Sequence, residues 1–390
     1  MHARADVDFS SPEGFALRGE IFIAISRKGF SMGAMGRTRA TGVTGALRAA
    51  FSHSGRACRA LPTALSLAAD APCAIGGQAV MEGVMMRNGE RLALAVRLPD
   101  GEILAESRPW YTLSSADWLK RPFVRGFPTL VETLVNGIKA LNRSAEHAAQ
   151  GETGEELKPW HLALTLAVSV ALALGLFVVL PHMFSLGMKW LGLGGDVEGL
   201  SFHAWDGLFK FAIFIGYILS ISFLPDIRRV FQYHGAEHKV IRAFEARGDV
   251  TPETAAIHSR LHPRCGTTFL LFVLSISIIL HAVLVPLLLL VWTPDGAVTK
   301  HAGTVLFKFL LMVPISALAY EAIRYAARLG DGLLGVALRA PGMLLQMLTT
   351  HEPDRDQLEV AIVALREALG DAAPATVRAP AYRHQAPATE

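Results

Sequence analysis

Four long apolar runs constrain what this chain can fold into more than any other feature. A helix needs about 20 consecutive apolar residues to cross a bilayer, and each run approaches that length. Only 18% of the 390 residues are charged, whereas soluble domains usually carry about 25%. The sequence therefore predicts an integral membrane protein with about four transmembrane helices. The predicted helices cover residues 161–180, 207–224, 267–292 and 302–320.

Basic residues between these runs predict how the chain is oriented. Loops on the cytoplasmic side of a membrane carry an excess of Lys and Arg. Segments 182–206 and 293–301 contain one basic residue each, Lys189 and Lys300. Segment 226–266 contains seven, namely Arg228, Arg229, Lys239, Arg242, Arg247, Arg260 and Arg264. We therefore expect a multi-pass protein of the inner (cytoplasmic) membrane, in contact with membrane lipid, with this segment and both termini in the cytoplasm.

The segments outside the apolar runs predict smaller cytoplasmic elements. Asn88-Gly89 and Pro99-Asp100-Gly101 are turn signals between short apolar runs, and they predict a β-meander over residues 78–108. Apolar residues at helical spacing predict amphipathic helices over residues 128–149 and 358–369. The expected fold class is thus an α+β integral membrane protein with about four transmembrane helices, a small cytoplasmic β-meander and amphipathic helices.

The expected domain organisation follows from the same patterns. The sequence at 183–204 is glycine-rich and weakly apolar, so an extra re-entrant or extracellular helix there is an alternative that stays open. The parts are a poorly ordered extension at 1–72, a β-meander with an amphipathic helix at 73–158, a transmembrane domain at 159–328 with a cytoplasmic loop at 226–266, C-terminal helices at 329–370, and a disordered tail at 371–390.

Net charge and cysteine content exclude two common classes of protein. A formal net charge of +3, without a basic stripe interleaved with aromatic residues, does not favour nucleic-acid binding. Cys58, Cys73 and Cys265 are odd in number and far apart, so they do not form a disulfide framework. We interpret Cys265 as a thiolate ligand or a reactive thiol, and a buried inert thiol is the alternative.

The motif His234-x-x-Glu237-His238 predicts a metal site in the loop between the second and third apolar runs. Residues four apart share one face of a helix, so both imidazoles can reach one ion. Glu237 can act as a general base or a ligand, as in the inverted zincins. The alternative is a solvated helix with two exposed histidines and a local pair between Glu237 and Lys239.

Two neighbouring residues are candidates for the third ligand. His262 and Cys265 flank a turn that contains Pro263, and turns of this kind direct ligands to one side in many zinc loops. His258 lies four residues before His262 and could replace it. Histidine with cysteine favours a divalent ion such as Zn²⁺, and Fe or Mn becomes an option if carboxylates dominate.

Further residues are candidates for supporting roles. Glu82 is a lone carboxylate in an apolar stretch, so it is either an outward-facing strand residue or a second candidate base or ligand. Arg264 would bind an anionic substrate group or anchor the loop at the membrane. Glu321 and Arg324 lie three residues apart and could pair beside the site or at the rim. His281 falls within the third apolar run, where ionisable residues are costly.

Four blocks of sequence resemble a known family. They are Gly76-Gly-Gln-Ala-Val-Met-Glu-Gly-Val-Met-Met-Arg87, His234-Gly-Ala-Glu-His-Lys239, His262-Pro-Arg-Cys-Gly-Thr267 and Thr349-Thr-His-Glu-Pro-Asp354. Together they resemble the YqhQ-type family of bacterial membrane proteins over residues 73–368. That family is a domain of unknown function described as a predicted metal-dependent enzyme. The resemblance therefore implies a membrane protein with a metal site and implies no particular reaction.

Two functions fit these patterns. The first is a metal-dependent hydrolase at the cytoplasmic membrane interface, acting on a lipid-linked or membrane-tethered substrate. Its metal ligands would be His234 and His238 with one of His262 or Cys265, and Glu237 or Glu82 would be the catalytic base. The second is a non-catalytic scaffold or assembly protein in which the cluster is a structural staple. A transporter is less favoured, because no inverted repeat and few charges within the membrane are evident.

Overall fold

The structure is a computed structural model that describes residues 75–113, 116–149, 159–292, 294–329 and 332–385. The predicted extension at 1–72 lies outside these residues. Within the described parts, a small sheet stands beside a group of long apolar helices. The expectation of a mixed α and β chain with a small sheet and four such helices is confirmed.

The sheet has five strands in the order β1-β2-β3-β4-β5. Strands β1 to β4 form an antiparallel meander, and β5 pairs with β4 in parallel. Gly89 and Gly101 adopt positive φ angles of 60° and 88° in the two predicted turns, where glycine has no steric penalty. The strands are β1 Gly76–Val80, β2 Gly83–Asn88, β3 Arg91–Arg97, β4 Ile103–Pro109 and β5 Arg383–Gln385.

The helices are numbered here in chain order. A π-helical turn, Gly175–Val179, joins the second to the third, and short 3-10 turns lie at Asp117–Lys120 and Gly370–Ala372. The helices are α1 Gly126–Ala149, α2 Pro159–Leu174, α3 Leu180–Trp190, α4 Leu200–Ser222, α5 Pro225–Glu245, α6 Pro252–Ala256, α7 Gly266–Val291, α8 Ala297–Leu310, α9 Met312–Arg328, α10 Leu333–Thr349 and α11 Arg355–Leu369.

Both faces of the sheet are buried, because successive side chains of a strand point to opposite sides. On one face, Val84 and Met86 pack in a core with Tyr233 of α5 and Ile362 of α11. On the other face, Met85 and its neighbours pack with Ala140 of α1. The predicted C-terminal amphipathic helix therefore docks on the meander and on α5 together, and it begins with a capping box between Asp354 and Gln357.

Four helical segments are long and apolar enough to cross a membrane: Ala167–Trp190, Leu200–Ser222, Gly266–Val291 and Ala297–Ala326. The first continues past Pro181, where the sequence predicted an end. Proline has no N–H to donate to the carbonyl four residues earlier, so it usually ends or kinks an α-helix. Here a π-helical turn, with its different hydrogen-bond pattern, lies just before Pro181, and the helix continues. The segment left open at 183–204 therefore holds the end of α3, a turn and the start of α4.

The C-terminal tail differs from its prediction. The composition of 371–390 predicted disorder, but 371–385 is described and makes ordered contacts at several points. Val377 forms a parallel bridge with Val250, and Arg383–Gln385 adds the fifth strand. The Tyr382 hydroxyl donates to Glu367 at 2.7 Å. These contacts tie the segment to β4 and α11, which composition alone does not reveal.

Candidate metal centre

Helix α5 presents the predicted ligands on one face. Pro225 at its first turn and Asp226 beside the positive end of the helix dipole favour a helix start there. His234 and His238 are one turn apart, and their ring centroids lie 4.4 Å from each other. His238 is 1% exposed, so the alternative of a solvated helix with two exposed histidines does not describe this face.

The second nitrogen of each imidazole is held by a backbone carbonyl. His234 Nδ1 lies 2.8 Å from the Thr349 oxygen, and His238 Nδ1 lies 2.5 Å from the Arg260 oxygen. A carbonyl can only accept, so each Nδ1 carries the proton and each Nε2 keeps its lone pair. Metal-binding histidines are commonly oriented in this way by the partner of the other nitrogen. His238 Nε2 is buried and has no hydrogen-bond partner among the described residues.

Cys265 completes a group of three donors. It is the residue that caps the start of α7, and its Sγ lies 3.2 Å from Nε2 of His234. The donor atoms of His234, His238 and Cys265 all lie within 4.8 Å of one another. The backbone N–H of Thr267 donates to this sulfur at 3.4 Å, a contact that favours the thiolate. A thiolate with two neutral imidazoles is a donor set that Zn²⁺ accepts.

His262 lies beside this group and bonds elsewhere. Its ring centroid is 5.6 Å from that of His238, but its Nδ1 accepts the backbone N–H of Arg264 at 3.3 Å. Its Nε2 faces Glu245 at 3.5 Å. Gln346 holds the backbone of His262 through both its N–H and its carbonyl. Of the two candidates for the third ligand, the structure therefore brings Cys265 to the imidazoles and directs His262 away.

Glu237 is buried next to the three donors. The residue is 5% exposed, and its Oε2 has no hydrogen-bond partner among the described residues. Burial raises the pKa of this carboxyl to about 8. Gly77 of β1 makes room for it, because a Cβ at that position would stand 2.8 Å from the Glu237 carboxyl carbon. A carboxyl that exchanges its proton near neutral pH suits a general acid or base.

Glu82, the other predicted base, has a different position. It lies in the turn between β1 and β2 with a positive φ of 51°. Its two oxygens bond the guanidinium of Arg229, and the hydroxyl of Tyr233 donates to it at 3.3 Å. The structure does not bring Glu82 into the group of donor atoms. It instead fastens the meander to the first half of α5.

The remaining candidates form ion pairs or lie apart from the donors. Arg264 pairs with Glu245 at the end of α5. Glu321 is bound by Arg125 at 2.7 and 2.8 Å, so its salt bridge joins α9 to the start of α1 and not to Arg324. Arg324 lies over the Tyr320 ring, at 5.9 Å from the centroid. His258 is half-buried in the loop and is not among the three donors.

Residues 349–352, at the end of α10 and directly after it, hold the candidate site in place. The spacing of the sequence motifs did not predict this supporting role. Thr349 supplies the carbonyl for His234, and His351 N–H donates to Phe231 at 2.9 Å. Glu352 accepts from Lys239 at 2.8 Å. The block Thr349-Thr-His-Glu-Pro-Asp354 is part of the family resemblance. Because it is polar and follows an apolar helix directly, it was the sequence feature that could have indicated this supporting role.

We predict that Gly235→Ala disturbs the site through this segment. A Cβ on Gly235 would overlap the carbonyl oxygen of His351, so the segment must move and take the Thr349 carbonyl away from His234. We expect a loss of about 1–3 kcal/mol of stability, as for other overpacked positions, with weaker zinc binding. Thermal unfolding in detergent and zinc titration measure both effects. Gly216→Ala is the matched control, because that helical glycine faces open space, and equal behaviour of the two variants would contradict the prediction.

These features define a class of protein, in which a small sheet and a buried His, His, Cys group adjoin four helices apolar enough to cross a membrane. The chain belongs to the family described as protein of unknown function DUF1385, whose model matches residues 121–371. It is 35% identical over 309 residues to the uncharacterized protein YqhQ of Bacillus subtilis (strain 168). The aligned region covers 76% of this chain and 93% of that relative. No solved structure matches the chain. The resemblance seen in the four sequence blocks is confirmed, and neither description names a reaction.

Proposed function

We propose that this protein is a metal-dependent membrane hydrolase whose site lies at the cytoplasmic interface. His234, His238 and Cys265 would hold a Zn²⁺ ion, and Glu237 would act as the base. The observation that carries the proposal is the orientation of the two imidazoles. Both give Nδ1 to a backbone carbonyl and turn Nε2 toward the Cys265 sulfur.

The count of protein donors supports catalysis over a structural role. Structural zinc sites are closed by four protein ligands, whereas catalytic sites use three and leave one position open. Among the described residues three donors meet here, and a buried carboxyl lies beside them whose Oε2 has no hydrogen-bond partner within the same part of the chain. Zinc in such a site supplies Lewis acidity. Glu237 would take up a proton at Oε2, a role to which a pKa near 8 is suited.

The position of the site supports a membrane-tethered substrate. Cys265 immediately precedes α7, which is one of the four segments apolar enough to cross a membrane. Large apolar side chains on these segments face outward, with Leu172 68%, Ile279 62% and Leu290 77% exposed. Exposed apolar surface of this extent is typical of contact with lipid. A substrate held in the bilayer by a lipid anchor could therefore approach the site along its surface.

The first test is the metal content of purified protein. We expect wild-type protein to retain zinc and the double variant His234→Ala with His238→Ala to lose it, because two of three ligands are removed. His258→Asn is the matched control, since His258 lies in the same loop but outside the donor group. Elemental mass spectrometry of each preparation measures bound metal. Equal metal content in wild type and the double variant would sink the metal site.

The second test addresses hydrolysis. A hydrolase adds one oxygen atom of water to its product, so incubation with a bacterial lipid extract in ¹⁸O-labelled water should label products found by mass spectrometry. Glu237→Gln should abolish labelling while the zinc content stays at the wild-type level. Labelling at the wild-type rate in this variant would remove Glu237 from the role of base.

One observation favours the second candidate, a structural staple. Two of the three donors are deeply buried, with His238 1% and Cys265 6% exposed, and the group connects α5, the loop before α7 and the end of α10. A staple predicts that Cys265→Ala lowers stability, whereas Glu237→Gln leaves the cellular phenotype intact. Loss of the phenotype at a normal level of Glu237→Gln protein would favour the hydrolase.

A further inference from the structure

A second cluster of ionisable side chains lies inside the apolar helices, away from the metal site. We call it the relay cluster, and it consists of His182 on α3, Asp206 and Lys210 on α4, His281 on α7, and His301 and Lys308 on α8. Five of the six are at most 3% exposed, and His301 is half-buried. Ionisable groups at such depth in apolar helices are costly and usually serve a function.

The six groups form one continuous hydrogen-bonded chain. Asp206 lies at its centre and binds Lys210 at 2.6 Å and Lys308 at 2.9 Å. On one side, Lys210 Nζ lies 3.0 Å from Nδ1 of His281. On the other side, Lys308 Nζ lies 3.2 Å from Nδ1 of His182, whose Nε2 lies 3.0 Å from Nδ1 of His301. Each contact is within the distance at which a proton can pass between neighbours.

The charge of the cluster is not balanced if every group takes its ordinary form. Two ammonium groups face one carboxylate, and a buried charge without a counter-charge is strongly unfavourable. A neutral amine at one of the two lysines removes the excess. When that lysine is Lys210, its amine accepts a hydrogen bond from Nδ1–H of His281 and donates one to Asp206. His281 then presents an Nε2 lone pair, and this buried atom has no hydrogen-bond partner among the described residues.

The cluster leads from the far end of the helices toward their middle. His301 lies near the start of α8, at the end opposite Cys265, and a group of ion pairs surrounds that end: Lys300 with Glu198, and Lys189 with Asp196. His281 lies 15 residues beyond Gly266, or about 22 Å along α7. Ser277, one turn nearer the metal site, is also buried. His203 is the remaining buried ionisable group nearby, and it bonds the Val197 carbonyl.

Close packing of α4 and α7 brings the two sides of the cluster together. Gly207 follows Asp206, and a Cβ there would stand 2.7 Å from the Ile278 side chain. The glycine therefore lets α7 approach α4 closely enough for His281 to reach Lys210. A cluster whose parts come from four helical segments and meet only through such packing is a built feature of the fold.

We propose that the relay cluster is a proton-transfer path and that the protein conducts protons across the membrane. In one transfer, Lys308 first protonates His182 at Nδ1, the Nε2 proton of His182 passes to Nδ1 of His301, and His301 releases its Nε2 proton to water. A proton binds His281 at Nε2 while its Nδ1 proton passes to the Lys210 amine, and Lys210 then gives a proton to the neutral Lys308 amine by way of the Asp206 carboxylate. One proton enters, one leaves, every group returns to its initial charge, and rotation of the three imidazole rings restores the initial proton positions.

This inference needs the membrane placement of the proposed function but not its metal or its hydrolysis. The test uses full-length protein reconstituted in vesicles that contain a pH-sensitive dye, with a potassium diffusion potential set by valinomycin. We expect a proton flux above that of protein-free vesicles. His301→Gln and His281→Gln should lower the flux to the protein-free level, because an amide cannot bind and release a proton. Ser220→Ala, an exposed position on α4, should conduct like wild type.

Two further measurements keep the outcomes distinct. Flotation of the vesicles after an alkaline wash reports whether the protein is embedded, and protein that does not float with them overturns both the membrane placement and the relay. The variant Asp206→Asn with Lys308→Met removes one charge of each sign, so it should stay folded and lose the flux. Embedded wild-type protein without flux, or any of the three relay variants conducting at the wild-type rate, overturns the relay alone.

Discussion

Metal-free protein is expected to lose stability as the pH rises from about 6.5 to about 8, and Glu237→Gln is expected to remove most of that loss. The Glu237 carboxyl is buried, and burial raises its pKa from the ordinary 4.5 to about 8. Between these two values the folded chain holds a proton that the unfolded chain has released. The contribution to stability is therefore complete below pH 4.5, and it falls by about 1.4 kcal/mol per pH unit until the folded pKa is reached.

The prediction for Glu237 applies above pH 6.5, because His262 also makes stability depend on pH below that value. Burial, together with the charge of Arg242, lowers the pKa of His262 from 6.5 to about 3. A depressed histidine pKa gives the opposite slope, since the unfolded chain then binds the extra proton between pH 3 and 6.5. Above pH 6.5 this histidine is neutral in both states. Across the remaining window the Glu237 term amounts to about 2 kcal/mol.

The measurement is the midpoint of thermal unfolding in detergent, with a chelator present, at several pH values. The quantity to compare is the difference in slope between wild type and Glu237→Gln, because every other titrating group is common to both. Glu90→Gln is the matched control, since that carboxyl is exposed. If wild type and Glu237→Gln keep parallel pH profiles, the carboxyl is not held protonated by burial.

The pairing of His234 with His238 could be predicted because it depends only on helix geometry. Two residues four apart on one helix must face the same way. Helix geometry could not predict in the same way that Cys265, and not His262, lies with the two imidazoles. Both lie in one turn, and the choice depends on Gln346 of α10, which holds the His262 backbone from 84 residues away. A contact of this range has no signature in the local sequence.

Glu82 shows a second limit of sequence patterns. An isolated carboxylate in an apolar stretch indicates a special environment, and Glu82 has one. The partner that defines this environment is Arg229, 147 residues later. The sequence therefore indicated that Glu82 is held by another group but not which group holds it. The fold joins it to the first half of α5, the helix that also carries two of the three candidate metal donors.

The relay cluster was missed because the predicted helices were too short. The first predicted helix ends at residue 180 and the second begins at residue 207, which leaves His182 and Asp206 in a loop. In the structure the first helical segment extends to Trp190 and the second begins at Leu200. Of the cluster, His281 lies within the predicted helix bounds as an ionisable group whose cost is evident from the sequence. Lys210 and Lys308 lay within the predicted runs, and two lysines in such runs were the signal to search for a shared counter-charge.

Asp206→Asn is expected to destabilise the protein by about 3–5 kcal/mol, the cost of removing one partner from a buried ion pair. Asp206 is 1% exposed and is the only carboxylate that the described residues place on Lys210 and Lys308. Without it the ammonium charge of the pair has no counter-charge in an apolar interior. Thermal unfolding in detergent should show a midpoint lower by on the order of 10 °C. Adding Lys308→Met to the variant should restore much of this loss, because the excess charge is then removed.

Asp196→Asn provides the matched comparison. Asp196 also faces two lysines, Lys189 at 2.7 Å and Lys300 at 3.6 Å, but its side chain is 40% exposed. Water screens an exposed pair, so this substitution should cost less than about 1 kcal/mol. The two aspartates share their chemistry and differ in burial, so a large difference between them measures what burial contributes. Equal losses at the two positions would mean that water reaches Asp206, and the low dielectric assumed for the relay cluster would then be wrong.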